Sequence, residues 1–315
     1  MSTISVSRIY DGLFKIEEWN VGIIQQPISN FLKSNNKPNI CWLPTPDRGK
    51  FLADPFGLIR DKRIFILCEE FDYSRRKGRI VSYAQSDGKT FSEPRVAIDL
   101  PIHMSYPYLL ESEGEVYCIP ETLQAREISL YRADDFPYRW TKVATMVKDF
   151  AGVDPTIFEY EGQWWLTCSR GGSWTDLFVW FASDLMGQWK PHAANPVKRD
   201  ITSSRPAGTP FVYEGRLYRP AQDCLRSYGG RVVLNRIVKL TTEEFEEERV
   251  ITVEPSKEPY LDGLHTISSV GDMTLIDGKR RRFVATISEL KFNLVSQRHS
   301  TFIAKLAGRD RVVLL

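Results

Sequence analysis

The sequence predicts an all-β protein, a five-bladed β-propeller with four-stranded antiparallel blades around a central channel. Three observations predict it. A strand-opening unit returns along the chain, as Ala53-Asp54-Pro55-Phe56, Ser105-Tyr106-Pro107-Tyr108, Val153-Asp154-Pro155-Thr156 and Gly208-Thr209-Pro210-Phe211. The returns fall roughly every 50 residues, the period of a propeller or a solenoid. Between them lie short runs rich in β-branched and aromatic residues, bounded by Gly, Asp and Pro, which read as strands and turns. The best helical candidate, Thr241 to Arg249, is short and polar. A β-sandwich also has evenly spaced short strands, but it does not predict a repeat with similar strand openings.

The 315 residues are read as one domain. Residues 1–50 supply N-terminal strands (Ile4 to Ile9, Leu13 to Ile16, Trp19 to Ile24, Ile40 to Leu43) and a closing segment. Ser5 to Ile24 is assigned to completing the last blade, which removes an open edge. Blades start near residues 54, 106, 154, 208 and 265. Blade I runs Pro55 to Ile59, turn Asp61-Lys62, Ile64 to Cys68, Arg79 to Ala84 and Arg95 to Ile98. Blade II repeats this with Tyr108 to Leu110, turn Glu113-Gly114, Val116 to Ile119, Ile128 to Ala133 and Trp140 to Val147. Blade III has Thr156 to Tyr160, turn Glu161-Gly162, Trp164 to Cys168 and Leu177 to Ala182, with Ser183 to Trp189 as its outer part. Blade IV has Pro210 to Tyr213, turn Glu214-Gly215, Leu217 to Pro220, Arg231 to Leu240 and an acidic outer edge, Thr241 to Glu248. Blade V is expected as Thr266 to Ile276, turn Asp277-Gly278, Arg282 to Ile287 and Thr301 to Leu306, with Val312 to Leu315 as a closing strand.

The net charge of +2 implies no nucleic-acid or membrane-surface partner. The basic runs Arg75-Arg76-Lys77 and Lys279 to Arg282 read as solvated loops. Met1 to Ile24 has no apolar core of signal-peptide length, and no segment approaches a membrane span. The expected location is cytoplasmic. The cysteines at 41, 68, 118, 168 and 224 are odd in number and lack zinc spacing, so they read as buried free thiols. P-loop, GxGxxG, GxSxG and HExxH motifs are absent.

In a propeller the first strand of each blade lines the channel. Residues at its start, and at the end of the second strand beside it, then face one mouth. This rule gathers Asp54, Tyr106, Asp154, Arg205 and His265 from strand starts. From second-strand ends it gathers Glu69 or Glu70, Glu121, Arg170, Gln222 and Asp223. Adjacent strand residues face opposite sides, so at most one of Glu69 and Glu70 enters the funnel. An acid-lined funnel suits a sugar, whose hydroxyls want bidentate partners and whose ring faces want aromatic platforms; Trp174 and Tyr228 are candidates for the latter. Two carboxyl groups can cleave a glycosidic bond, one as proton donor and one as base or nucleophile. Their separation, about 6.5–9.5 Å or about 5–5.5 Å, decides inversion or retention, and crowding among acids helps the donor keep its proton. The catalytic candidates are Asp54, Asp154, Glu121 and Asp223. The ligand-binding candidates are Glu70, Tyr106, Arg170, Arg205, Gln222, Tyr228, His265 and Trp174. Plainer roles stand beside these. Asp before Pro also serves as a turn or strand cap. His265 is a ligand, a channel hydrogen-bonding group or a loop residue. Arg205 binds an anionic group of the ligand or pairs with a funnel acid.

Ala53-Asp54-Pro55-Phe56, Val153-Asp154-Pro155 and Phe181 to Trp189 resemble the five-bladed propeller glycosidases of the furanosidase class, the arabinanase, xylosidase and invertase relatives. More closely, residues 15–310 resemble the N-terminal propeller domain of plant glucosamine inositolphosphorylceramide transferases, which also occurs in bacteria as a stand-alone protein. Ala53 to Phe56, Ser105 to Pro107, Pro120-Glu121, Gly208 to Asp223, Tyr228-Gly229 and Gly263 to Thr266 carry that likeness. The resemblance implies that Asp54 matches the catalytic first-blade aspartate, a base or nucleophile. It implies that Asp154 matches the aspartate that tunes the acid or steadies the transition state, and that His265 matches a channel histidine that in some relatives helps hold calcium or water. No cofactor is expected, with calcium in the channel as the alternative. The glycosidases carry a glutamate acid at the start of a later blade, whereas Arg205-Pro206-Ala207-Gly208-Thr209 has no carboxylate. Glu121, Glu70 or Asp223 must then substitute. The reading is a glycosidase-like enzyme acting on a glycan or an activated or lipid-linked sugar. The alternative is a non-catalytic glycan-binding propeller that assists a glycosyltransferase in polysaccharide or glycolipid synthesis.

Overall fold

The computed structural model describes residues 14–34, 36–85, 90–256 and 258–294. Five small antiparallel sheets form the blades of a propeller. Blade I consists of Lys50–Arg60, Arg63–Asp72, Lys77–Gln85 and Arg95–Ile98. Blade II is Ser105–Ser112, Glu115–Glu121, Glu127–Asp135 and Arg139–Lys148. Blade III is Gly152–Tyr160, Gln163–Arg170, Asp176–Ala182 and Lys190–Pro191, with Lys198–Arg199 also pairing on its third strand; Ser183 to Trp189, expected as its outer part, is the connection that leads to the outer strand. Blade IV is Phe211–Tyr213, Arg216–Asp223, Arg231–Leu240 and Phe245–Val253. Residues 245–249, within the best helical candidate, are therefore part of an edge strand.

Four hairpins turn as the sequence predicts. Asp61-Lys62, Glu113-Gly114, Glu161-Gly162 and Glu214-Gly215 each place two successive residues at positive φ, between 50° and 80°. A two-residue loop needs that conformation to match the twist of its strands.

Blade V departs from expectation. Its inner strand is Ile267–Val270 and its second strand runs unbroken from Met273 to Phe283. The turn lies at Gly271-Asp272, not at Asp277-Gly278. The strand Lys15–Ile24 explains the difference: it pairs along the whole second strand, from Lys15 with Phe283 to Ile24 with Thr274, and Asp277-Gly278 faces Val21 and Asn20. Gly278 is required there by packing, since a Cβ would lie 2.5 Å from Trp42 and 2.7 Å from Tyr260. Cys41–Trp42 adds the outer strand. Of the segment assigned to completing the last blade, Lys15–Ile24 does so, and residues 5–13 lie outside the described residues. The chain leaves the strand at Phe283, and residues 287–294 are helical, so no strand reaches Ile287. Ile4 to Ile9, Thr301 to Leu306 and Val312 to Leu315 lie outside the described residues.

Apolar clusters fill the gaps between neighbouring blades. Leu67, Ile80, Met104 and Cys118 join blades I and II. Ile119, Leu130, Ile157 and Leu166 join II and III. Val232, Leu234, Ile267 and Ile276 join IV and V. Val21, Leu275, Leu52 and Ile66 join V and I. Each such side chain contributes about 1.5–3 kcal/mol on burial, so the blades are held edge to edge and the channel wall is rigid. Cys68, Cys118, Cys168 and Cys224 are buried free thiols, while Cys41 is exposed. Lys279 to Arg282 is part of a strand instead of a solvated loop: Arg280 and Arg282 both bind Glu18, and Lys279 is fully buried.

Candidate functional site

The repeated strand opening has a physical meaning. Between Ala53 and Phe56, Ser105 and Tyr108, and Val153 and Thr156, the inner strand carries one residue more than its partner. This is a β-bulge, which re-aims a side chain. In each bulge the residue before proline has a left-handed backbone: Asp54 at φ 53°, Tyr106 at 46° and Asp154 at 52°. Such strain in a non-glycine residue costs of order 1–3 kcal/mol and gathers at functional sites. Here it recurs at matching positions of three blades.

Two of the bulges are held by a carboxylate from the preceding blade. The Asp154 N–H donates to Glu121 Oε2 at 3.0 Å, and the Asp54 N–H donates to Asp277 Oδ2 at 3.2 Å. Asp277, which the sequence reading treated as a turn residue, is therefore a central element of the site. Its Oδ1 accepts the N–H groups of His265 (2.9 Å) and Thr266 (3.1 Å), and its Oδ2 meets His265 Nδ1. A signal for it existed. Glu69 stands seven residues after Lys62, Glu121 seven after Gly114, Ser169 seven after Gly162 and Gln222 seven after Gly215, the second residues of their hairpin turns. Asp277 stands five after Asp272. Both offsets are odd, so the side chain leaves the strand on the same face.

The remaining groups form a chain across the mouth. Arg205 donates from Nε and Nη2 to the two oxygens of Asp154, and Gln222 Nε2 donates to Asp154 at 3.0 Å. The Arg205 guanidinium lies 4.9 Å from the Tyr228 ring centre. Tyr228 meets the His265 ring edge-on at 5.4 Å. His265 stacks on Trp19 at 4.0 Å, and its Nε2 is 3.8 Å from Asp54 Oδ1. Asp54 also accepts the Thr266 hydroxyl at 2.7 Å. The hydroxyl of Tyr106 bridges Thr156 Oγ1 (2.8 Å) and the Gly208 N–H (2.7 Å). Asp54 and Asp154 thus belong to one connected cluster of side chains. Trp19, which comes from the closing strand, carried no local signal of this role.

Charge balance explains the proton affinities. Asp54, Glu69, Glu121, Asp154 and Asp277 are buried together with two cations, Arg205 and His265. Five acids against two bases cannot all ionise in a desolvated site. Burial, then the charge of Asp154, pushes Glu121 up to about 8. Burial raises Asp54 to about 6; His265 opposes this and Asp154 reinforces it. Burial and the neighbouring Asp54 and Glu121 raise Glu69 well above its ordinary value. Burial works against charge on His265, but Asp277 and Asp54 outweigh it and raise its pKa.

Three candidates, Glu70, Asp223 and Arg170, lie elsewhere, and a fourth, Trp174, stands beside Tyr228. Glu70 is bound by Arg79 (2.7 Å) and Lys50 (3.6 Å) on the other side of its strand, while its neighbour Glu69 faces the acids of the mouth. Alternation along the strand decides this. By the same alternation Gln222 reaches Asp154, whereas Asp223 is clamped by Arg231 (3.0 Å) and Arg249 (3.1 Å). Arg170 lies over the rings of Phe150 and Phe178. Trp174 is half-buried at the rim, its ring 5.9 Å from Tyr228.

Asp54, His265 and Asp277 present ligand atoms within 4.8 Å of one another. Calcium takes six to eight oxygens. Both oxygens of Asp277 are already filled by three peptide N–H groups and the imidazole, so this donor set does not fit calcium. The imidazolium balances the charge instead. Among the described residues no helix is long and apolar enough to cross a membrane.

Comparison with known proteins agrees with this architecture. A glycosyl hydrolase from Bacteroides ovatus superposes with a TM-score of 0.55 at 8% identity, covering 84% of this chain and 97% of that one. A family 117 glycoside hydrolase of the marine bacterium Zobellia galactanivorans gives 0.52 at 16% identity, covering 84% and 91%. At such identities the likeness is one of fold alone. Glucosamine inositolphosphorylceramide transferase 1 of Oryza sativa subsp. japonica is 36% identical over 215 residues, 64% of this chain and 29% of the plant protein. The match thus spans less than a third of that relative. The family model described as glucosamine inositolphosphorylceramide transferase 1, N-terminal, matches residues 29–260, and the chain belongs to that family.

Proposed function

We propose that the channel mouth processes a carbohydrate, with glycosidase-like chemistry on a glycan or an activated or lipid-linked sugar. The observation that carries this reading is the pair of strained aspartates, Asp54 and Asp154, at matching bulges, each with its peptide N–H held by a carboxylate of the preceding blade. Strain of this kind persists only where the surroundings over-determine it. Glu121, which holds its proton up to about 8, is the donor to the leaving oxygen. Asp54, ionised above about 6, is the base or nucleophile. Asp154, fixed by Arg205 and Gln222, is the neighbouring carboxylate that adds to burial in raising Glu121. Tyr228 and Trp174 supply the aromatic wall against which a sugar ring stacks. The buried free thiols support a reducing, cytoplasmic setting.

A second reading is favoured by one specific feature. Arg205 stands at the start of blade IV, where the glycosidase resemblance expects an acid, and it occupies Asp154. In that reading the same pocket recognises a glycan and delivers it to a partner glycosyltransferase. The membership of a transferase N-terminal family is consistent with this.

The test compares wild type with Asp54→Asn on a panel of aryl furanosides, aryl pyranosides and nucleotide sugars, with binding followed by calorimetry. Turnover that the variant loses while binding persists supports the enzyme. Binding without turnover in the wild type supports the second reading. Neither binding nor turnover overturns both.

A further inference from the structure

We infer that a second pocket, between blades II and III on the face of the channel mouth, is an oxyanion subsite. It would hold a phosphate or carboxylate borne by the sugar in the channel. The pocket is a cavity of about 330 Å³ lined by Arg126, Asp149, Phe150, Ala151, Arg170 and Gly171. Three loops build it. The one after the second strand of blade II ends at Arg126, which has a left-handed backbone of φ 53°. Its carbonyl accepts the Phe150 N–H at 3.0 Å, and its guanidinium donates to the Asp149 carbonyl at 3.3 Å. The Gly171 N–H in turn donates to the Ala151 carbonyl at 2.8 Å. A Cβ at Gly171 would lie 2.3 Å from the end of the Leu123 side chain, which shows how closely the loops approach.

Arg170 is stacked over Phe150 at 4.8 Å and over Phe178 at 4.9 Å. Stacking fixes the plane of the guanidinium and leaves its N–H edge for a planar or tetrahedral oxyanion. Among the described residues neither Arg126 nor Arg170 has a carboxylate oxygen within ion-pair distance. Arg79, Arg219, Arg231, Arg280 and Arg282 all do. The Asp149 carboxylate at the exposed rim leaves the pocket with two positive charges against one negative.

The position joins it to the mouth. Arg170 pairs with Gly152 in the blade III ladder, two residues before Asp154, a strand distance of roughly 7 Å. Arg170 follows Ser169, so its side chain leaves the strand on the face opposite the mouth residues, and a substituent of the sugar must turn over the strand end to reach it. The link to the channel rests on the sugar reading above; the oxyanion subsite does not.

Titration calorimetry with inorganic phosphate, glucose 1-phosphate, glucuronate and glucose tests both. Phosphate binding is expected to weaken about ten- to hundredfold in Arg170→Gln and in Arg126→Gln and to be unchanged in Asp54→Asn. Glucose 1-phosphate is expected to bind more tightly than either phosphate or glucose. Glucuronate binding that the arginine variants weaken also supports the subsite, and identifies a carboxylate as its anion if it is the tighter ligand. Equal affinities for phosphate and glucose 1-phosphate, both sensitive to the arginines, leave the subsite standing and remove the sugar from the channel. Absence of binding by every anion at millimolar concentration, or binding that both arginine variants leave unchanged, overturns the subsite. Arg126 and Arg170 are both exposed, so either variant remains informative if the other fails to fold.

Discussion

Replacing Asp277 by asparagine probes the part of the site that is most completely enclosed. The carboxylate is fully buried and accepts four donors, two on each oxygen. Asparagine keeps one acceptor. With its carbonyl toward the His265 and Thr266 N–H groups, its NH₂ confronts the Asp54 N–H and His265 Nδ1–H. Flipped, it confronts the other pair. Either way two buried donors lose their acceptor, at about 1–3 kcal/mol each. The imidazolium also loses its partner, and breaking a buried pair costs about 3–5 kcal/mol. These costs overlap, so the expected loss is about 4 kcal/mol. For a chain of this size that lowers Tm by about 8–16 °C. Thermal unfolding followed by circular dichroism, with urea unfolding as a check, measures it. A loss below about 1 kcal/mol would refute the assignment of Asp277 as the anchor of the mouth.

Further expectations concern protons and the channel floor. Glu121 is raised from 4.5 to about 8 in the fold, so its contribution to stability is whole below about 4.5 and is lost as pH rises through 8. Asp54 and His265 are raised as well and act in the same direction. Stability should therefore fall from pH 5 to pH 9, by on the order of 4 kcal/mol for Glu121 at about 1.4 kcal/mol per tenfold in proton affinity. Urea midpoints across that range measure the slope, and Glu121→Gln should flatten it; an unchanged slope in the variant would assign the effect to other groups. Tyr106→Phe removes the hydroxyl that bridges Thr156 and the Gly208 N–H. It should cost about 1–3 kcal/mol through the orphaned amide and speed hydrogen exchange at Gly208; unaltered exchange there would contradict the bridge.

Much of this architecture was legible in the primary structure because it rests on local chemistry. Glu113-Gly114, Glu161-Gly162 and Glu214-Gly215 adopt the positive-φ turns their composition favours. The X-Pro unit marks the bulge in three blades, and its roughly 50-residue return implies closure around an axis. Asp54, Asp154, Glu121, Arg205, Gln222 and His265 are gathered by strand position alone, Tyr228 by its aromatic ring in a Gly/Ser-rich loop, and they do meet. Parity misled where the hairpin was misplaced. Asp277-Gly278 has a turn composition, yet ten ladder pairs with Lys15–Ile24 hold it extended and its side chain becomes a channel acid. Glu69 and Glu70 differ by one step of the strand, and only the register says which one looks inward.

The residue pattern by itself determined the number of blades, the turns of four of them, the repeated X-Pro openings and the chemical character of the mouth, since each follows from short-range backbone preference and period. Tertiary structure alone decided who pairs with whom. Asp154 could have met a ligand or Arg205, and His265 a metal or Asp277. Those choices are made by residues far apart in the chain, in a desolvated space where each buried charge must find its partner.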